Sequence, residues 1–253
     1  MHALFLVVHP SPPPTLQTLA EDGFAIVEDV LSAHVVDGVL GAVEMRLENP
    51  RMRLSVNMRS IAEAVPEVAE LTRMPAIRAL AEAVIRPGVR VARSLWFDKT
   101  PAANWKVAWH QDLTIAVQEK RDVPGFGSWS VKDGIPHVQP PSLLLERMIT
   151  LRIHLDDCDA SNGALKVLPG SHREGKLAPS QIKGWRQRRE PVTCEVRKGG
   201  VLLMRPLLLH ASSPATNPSH RRVVHVEFAA DELPGGLRWL DPPSVAARRK
   251  MTC

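Results

Sequence analysis

Met148-Ile149-Thr150-Leu151-Arg152-Ile153-His154-Leu155-Asp156 is the stretch that decides the fold. Successive side chains of a strand point to opposite faces. Ile149, Leu151, Ile153 and Leu155 therefore form one apolar face, and Thr150, Arg152, His154 and Asp156 a polar one. A polar face on so apolar a strand implies an enclosed wet site rather than a dry core. The same division recurs in Arg221-Arg222-Val223-Val224-His225-Val226-Glu227-Phe228. Arg222, Val224, Val226 and Phe228 suit packing against helices, with Arg222 read as surface charge; Arg221, Val223, His225 and Glu227 read as a cavity lining. An Arg aimed into such a cavity suits a carboxylate held through two parallel hydrogen bonds.

Further strand-like runs lie around these two: Val89 to Phe97, Trp105 to Asp112, Leu165 to Leu168, Val192 to Val196 and Val201 to Met204. Pro, Gly, Asn and Asp turns separate them, and no strand–helix alternation calls for a parallel sheet. The reading is mostly β with N-terminal helices, a sandwich or jelly roll. Residues 1–253 are taken as one domain, with 1–15 a loose Pro-rich arm, 16–88 a mainly helical layer, 89–230 the β core and 231–253 a tail. In the helical layer Ser32 stands as an N-cap before Val35, Val36, Val39, Leu40 and Val43, and Pro66 and Pro75 interrupt a second helical zone. The segment 113–142, with its Gly and Pro residues around Trp129, is too long for an ordinary connection and reads as a lid. Gly175 to Glu190 reads as a polar surface excursion.

Composition narrows the function. The net charge is +5, yet the basic residues are scattered apart from Arg186, Arg188 and Arg189 and the terminal Arg248, Arg249 and Lys250. Aromatics are only 4% and Tyr is absent, so the stacking platform of a single-strand nucleic-acid binder is missing. Cys158, Cys194 and Cys253 are odd in number and unpaired in spacing, which argues against a disulfide framework or a thiolate zinc site. No run approaches the roughly 20 apolar residues of a membrane helix. The opening HALFLVV has no basic residues before it, as a signal peptide would. A cytoplasmic protein with a small-molecule substrate, no nucleic acid and no membrane is expected.

The chemistry gathers at Trp109-His110-Gln111-Asp112. On a strand, His110 and Asp112 project together, which supplies two thirds of the two-His, one-carboxylate facial set that leaves three metal positions open. The third ligand must come from elsewhere in the fold. His210 closes the apolar run Leu207-Leu208-Leu209 and precedes a Ser/Pro/Asn turn, so it is the best candidate, with His154 and His225 as competitors. His172 and His220 sit in turns, His2 and His9 in the arm, and His34 in the first helical zone.

His110-Gln111-Asp112, then Asn162-Gly163-Ala164-Leu165-Lys166-Val167-Leu168-Pro169-Gly170-Ser171-His172, then His210-Ala211-Ser212 and Arg221, resemble the phytanoyl-CoA dioxygenase family. The resemblance runs from about Glu21 to about Phe228. It implies a double-stranded β-helix, a cupin-like jelly roll, and an oxygenase using Fe(II), 2-oxoglutarate and O2. It further implies that His110, Asp112 and His210 bind iron, and that Arg221 and Ser212 hold the far carboxylate of 2-oxoglutarate. Thr150 is a further candidate contact for that co-substrate. Under this resemblance the stretch from Asn162 to His172 is a structural turn and strand, and His172 is no ligand. Asp112 fills the position that halogenating relatives leave open, so a hydroxylation or related oxidation of a small metabolite is expected, with release of succinate and CO2. Substrate contacts are sought at Gln111, Trp129, His137, Arg93 and Arg152, with Lys106 also near; Arg93 is placed beside the His110 strand in a hairpin. The competing readings are a zinc hydrolase on the same three ligands and a non-catalytic jelly-roll binding protein.

Overall fold

A computed structural model describes residues 14–47 and 57–240. Residues 1–13 of the N-terminal arm, with His2 and His9, the end of the C-terminal tail with its basic cluster, and Cys253 lie outside the described residues, while the last two residues of the arm open a helix. Thirteen strands are described: β1 (Phe24–Val27), β2 (Asn57–Arg59), β3 (Arg90–Lys99), β4 (Val107–His110), β5 (Ile115–Ala116), β6 (Gly127–Lys132), β7 (Ile135–Gln139), β8 (Ile149–His154), β9 (Leu165–Val167), β10 (Val192–Cys194), β11 (Val201–Met204), β12 (His210–Ser212) and β13 (Arg221–Ala229). Seven helices accompany them: α1 (Pro14–Asp22), α2 (Ala33–Leu47), α3 (Ile61–Ala64), α4 (Pro66–Arg73), α5 (Pro75–Val84), α6 (Ser142–Glu146) and α7 (Pro179–Arg188).

The strands form a six-stranded sheet ordered β1-β11-β8-β13-β3-β2, a four-stranded sheet ordered β10-β9-β12-β4 and a small sheet ordered β5-β7-β6. The described pairings are antiparallel, as a jelly roll requires. The outer face of the large sheet is dry. Ile149, Leu151 and Ile153 of β8 and Val224, Val226 and Phe228 of β13 pack there with Trp96, under Val36, Val39 and Val43 of α2, Val68 and Leu71 of α4 and Ile77 of α5. Pro66 and Pro75 do not merely break a helix; each occupies the first turn of the next one, where its missing N–H costs nothing. Ser32 accepts a hydrogen bond from Val35 N at 3.4 Å, as its N-cap reading required.

Several expectations change. The 113–142 segment is not a structureless loop: most of it folds into the three-stranded sheet, whose β6–β7 hairpin turns at Asp133 and Gly134, both at positive φ. The run before His210 is a turn, so β12 starts at the His instead of ending there. The mainly helical N-terminal layer also supplies β1 and β2, which become the edges of the large sheet. Arg93 is no hairpin neighbour of His110, because β3 pairs with β13 and β2 while β4 pairs with β12 in the other sheet. Arg222 is not free surface charge: its guanidinium grips Asp156 through Nε at 2.8 Å and Nη2 at 2.7 Å.

Candidate active site

The inner face of the large sheet carries the polar halves of both diagnostic strands. Register sets the neighbours: Lys99 opposes Arg221, Leu95 opposes His225, Arg93 opposes Glu227, and on the other side of β13 Arg152 opposes His225 and Thr150 opposes Glu227. The four-stranded sheet brings His210 directly opposite His110. A cavity of about 220 Å³ lies between the two sheets, lined by His110, Asp112 and His210 together with Phe97, Trp105, Arg152, Ser212, Arg221 and His225.

Three ligand groups converge there. His110 Nε2 lies 3.9 Å from Asp112 Oδ1, His210 Nε2 lies 3.7 Å from Asp112 Oδ2, and the two rings are 4.2 Å apart between centroids. Each imidazole is aimed by its own strand. His110 Nδ1 donates to Ala108 O and His210 Nδ1 to Leu208 O, both at 2.8 Å, which leaves the Nε2 lone pairs facing the common point. Burial brings His210 down to about 4, so the ring is neutral and able to ligate. Burial works to raise the Asp112 carboxyl, but His210, His225, Arg93 and His110 outweigh it and hold the group well below the usual carboxylate range. Its Oδ2 is buried and has no hydrogen-bond donor. Two imidazoles whose Nε2 atoms face one carboxylate, itself held ionised and with an orphaned buried oxygen, fit a divalent ion such as Fe(II).

Deeper in the barrel, three cations meet without a carboxylate partner among the described residues. Lys99 Nζ donates to Ser212 Oγ at 2.7 Å and to Ser213 O at 2.5 Å. Arg221 Nη1 donates to Gly163 O at 2.6 Å, the carbonyl that also accepts from Ser212 Oγ at 2.9 Å. Arg152 has only His225 Nδ1, at 3.1 Å, and the Phe97 ring beneath it. Burial, reinforced by Arg221, brings Lys99 down to about 8. Such a cluster is costly to bury and calls for an anion. Arg221 and Ser212 converge on the neutral carbonyl of Gly163, and Lys99 joins them through the Ser212 hydroxyl. Gly163 has φ +84°, and a Cβ there would stand 2.9 Å from Lys99 Nζ.

The structure thus brings together His110, Asp112, His210, Ser212 and Arg221, and of the expected substrate contacts it places Arg152 in the same cavity. It keeps others apart. Thr150 is buried with its hydroxyl unpaired, opposite Glu227 and six residues along β13 from Arg221, roughly 20 Å of strand. Gln111 points away from the ligands and is fully used as a structural pin: Nε2 donates to Leu207 O and Gly175 O, and Oε1 accepts from Leu177 N. Trp129 packs against the apolar cluster under the small sheet. His137 is buried in β7, donating from Nδ1 to Ile135 O. Arg93 is spent on an ion pair with Glu227, and Lys106 is exposed. Of the competing histidines, His154 is buried without a ring partner, and His225 links Arg152 to Glu227. Lys99 was missed, although the alternation Arg93, Leu95, Phe97, Lys99 along β3 signals it.

Fold and site define a class, a jelly roll carrying a facial two-His, one-carboxylate metal site. Within that class, the chain belongs to the phytanoyl-CoA dioxygenase (PhyH) family, whose model matches residues 19–223. Ectoine dioxygenase of Nocardia farcinica is 29% identical over 170 residues, covering 62% of this chain and 50% of the relative. Ectoine dioxygenase of Bordetella parapertussis is 25% identical over 171 residues, covering 63% and 49%. The chain spans about half the length of these curated relatives. Among solved structures, EctD from S. alaskensis with 2-oxoglutarate and 5-hydroxyectoine superposes with a TM-score of 0.68 at 21% identity, over 90% of this chain and 79% of that one. The α-ketoglutarate-dependent carbocyclase SnoK from nogalamycin biosynthesis gives 0.69 at 17%, over 96% and 92%. Both likenesses are of fold.

Proposed function

We propose that the chain is an Fe(II)- and 2-oxoglutarate-dependent dioxygenase that oxidises a small metabolite at an unactivated C–H bond, releasing succinate and CO2. The observation that carries this is the pairing, in one cavity, of the His110/Asp112/His210 set with buried cations that lack a carboxylate. Iron would supply O2 activation and hydrogen abstraction. The chain's own residues do the rest. His110, Asp112 and His210 hold the ion by one face. Arg221, Lys99 and Ser212 take the far carboxylate of the co-substrate, exchanging the neutral acceptors at Gly163, Ser213 and Ser212 for a charged one. The wall of Leu95, Phe97, Trp105 and Leu165 excludes water.

We read the sheet formed from 113–142 as a lid for this site and the whole chain as a single unit. A cytoplasmic setting and a small-molecule substrate fit the same reading; among the described residues no helix is long and apolar enough to cross a membrane. A zinc hydrolase or a passive binding protein would leave Lys99 and Arg221 without a role.

The test is an anaerobic titration of metal-free protein with Fe(II) and 2-oxoglutarate. A weak visible charge-transfer band that is lost in His210→Ala is expected. Iron binding without the band would sink the co-substrate assignment.

A further inference from the structure

Arg152 has no part in the scheme above. Its residue is 6% exposed, its Nε has no partner, and burial, with Arg221 beside it, brings it down only to about 10, so it stays charged. A charge so enclosed needs a counter-group. Its one bonded neighbour is a neutral imidazole acceptor. His225 accepts from Arg152 at Nδ1 and therefore carries its proton on Nε2, which faces Glu227 Oε1 at 3.3 Å; Glu227 is in turn paired with Arg93. The series Arg152–His225–Glu227–Arg93 crosses β8, β13 and β3 on one face and fixes both the tautomer of His225 and the direction of the Arg152 fork. Glu227 is neutralised by Arg93, so Arg152 is the unbalanced member.

Its position is specific. Arg152 stands beside His225, four residues along β13 from Arg221, and both guanidinium groups line the same cavity. Their backbone levels are roughly 13 Å apart, and two long side chains reaching inward from that spacing can grip the two ends of a short dicarboxylate. His225 also lies within 4.8 Å of Asp112 through their ligand atoms, which puts Arg152 on the metal side of Arg221.

We propose that Arg152, aimed by His225, is a second carboxylate-binding residue of this cavity and takes the carboxylate of the 2-oxo acid next to its keto group, while Arg221 takes the far one. This rests on the co-substrate assignment above. The grip makes the cavity select 2-oxo dicarboxylates by length at both ends.

The experiment is anaerobic calorimetry of the Fe(II)-loaded protein with two probes, 2-oxoglutarate and 2-oxopentanoate, which keeps the near carboxylate and lacks the far one. In Arg152→Gln both probes are expected to weaken by the same factor, roughly tenfold to a hundredfold. In Arg221→Gln only 2-oxoglutarate weakens. His225→Phe, which removes the acceptor that aims Arg152, weakens both probes by a smaller factor. Arg152→Lys keeps the charge, loses the fork, and recovers part of the loss. A loss in Arg152→Gln confined to 2-oxoglutarate would put Arg152 on the far carboxylate and overturn the proposal. An unchanged affinity for both probes would overturn it as well, leaving Arg152 to the primary substrate or to structure. Should Arg152→Gln not fold, the Arg152→Lys and His225→Phe comparisons carry the same discrimination. Failure of wild-type protein to bind either probe would count against the co-substrate assignment itself.

Discussion

At the scale of single residues, the site works through contrasts between neighbours. Arg221 and Arg222 are adjacent in sequence and opposite in role: one turns into the cavity beside Lys99, the other outward onto Asp156 and Glu44. Arg221→Ala is expected to raise the KM for 2-oxoglutarate by at least tenfold, and Arg222→Ala to leave it within about twofold while lowering Tm. Equal effects on KM would undo the division of faces. Lys99 gives a pH signature. With a value of about 8 in the free site, it must be protonated to hold an anion, so co-substrate affinity is full below that pH. Above it, affinity falls, approaching about tenfold per pH unit. The groups facing it do not share the transition: Arg221 and Arg152 stay charged, and burial raises the Cys158 thiol out of range. Lys99→Met should flatten the profile between pH 7 and 9 and weaken binding throughout; a retained slope would assign the proton elsewhere.

Elements explain what was legible beforehand. The two diagnostic strands, β8 and β13, could be read because one face of each is dry and the other wet, and period two is then visible in the residues. His110 and Asp112 were legible as a pair from their spacing, although β4 ends at His110; His210 stood among three candidate histidines, and the full set came from the family resemblance. Pairing between distant strands was not legible. Arg93 was set beside the His110 strand because sequential strands usually pair, whereas β3 reaches across the chain to β13. Gln111 looked like a substrate contact because its three partners, Leu207, Gly175 and Leu177, come from segments far away in sequence. The lid strands gave no alternation, being rich in Gly, Pro and half-exposed polar residues, so their sheet was hidden. The hairpin of β6 and β7 is tied back to β2 by Arg59 and Asp133 at 2.9 Å, a partly exposed pair of small energetic weight. Replacing 127–139 by a short Gly-Ser linker is expected to cut substrate-coupled turnover severely while leaving iron affinity within about threefold. Loss of iron from the shortened protein would contradict a lid.

At the scale of the whole molecule, the six- and four-stranded sheets hold the charged groups of the site between them. Metal ligands come from the small four-stranded sheet and its margin, and two of the three cations from β8 and β13, with Lys99 on β3 beside them. On the proposed reading, ion and co-substrate together bridge the two sheets. Binding that occurs only in the native state raises stability by about 2.7 kcal/mol at a hundredfold excess over Kd. An increase in Tm of roughly 5–10 °C is expected with Fe(II) and 2-oxoglutarate together under anaerobic conditions. The increment due to 2-oxoglutarate should be absent in Arg221→Ala; an equal increment there would show that the anion binds elsewhere.

On the proposed reading, Arg221 and Ser212 beside the Gly163 carbonyl, with Lys99 on the Ser212 hydroxyl, take one carboxylate of the bound diacid. Decarboxylation shortens the co-substrate at its other end, so the spent diacid would still satisfy the same donors. Succinate would then leave slowly and compete with fresh co-substrate, and the rate of catalysis in a cell would follow the ratio of the two acids more closely than the level of either.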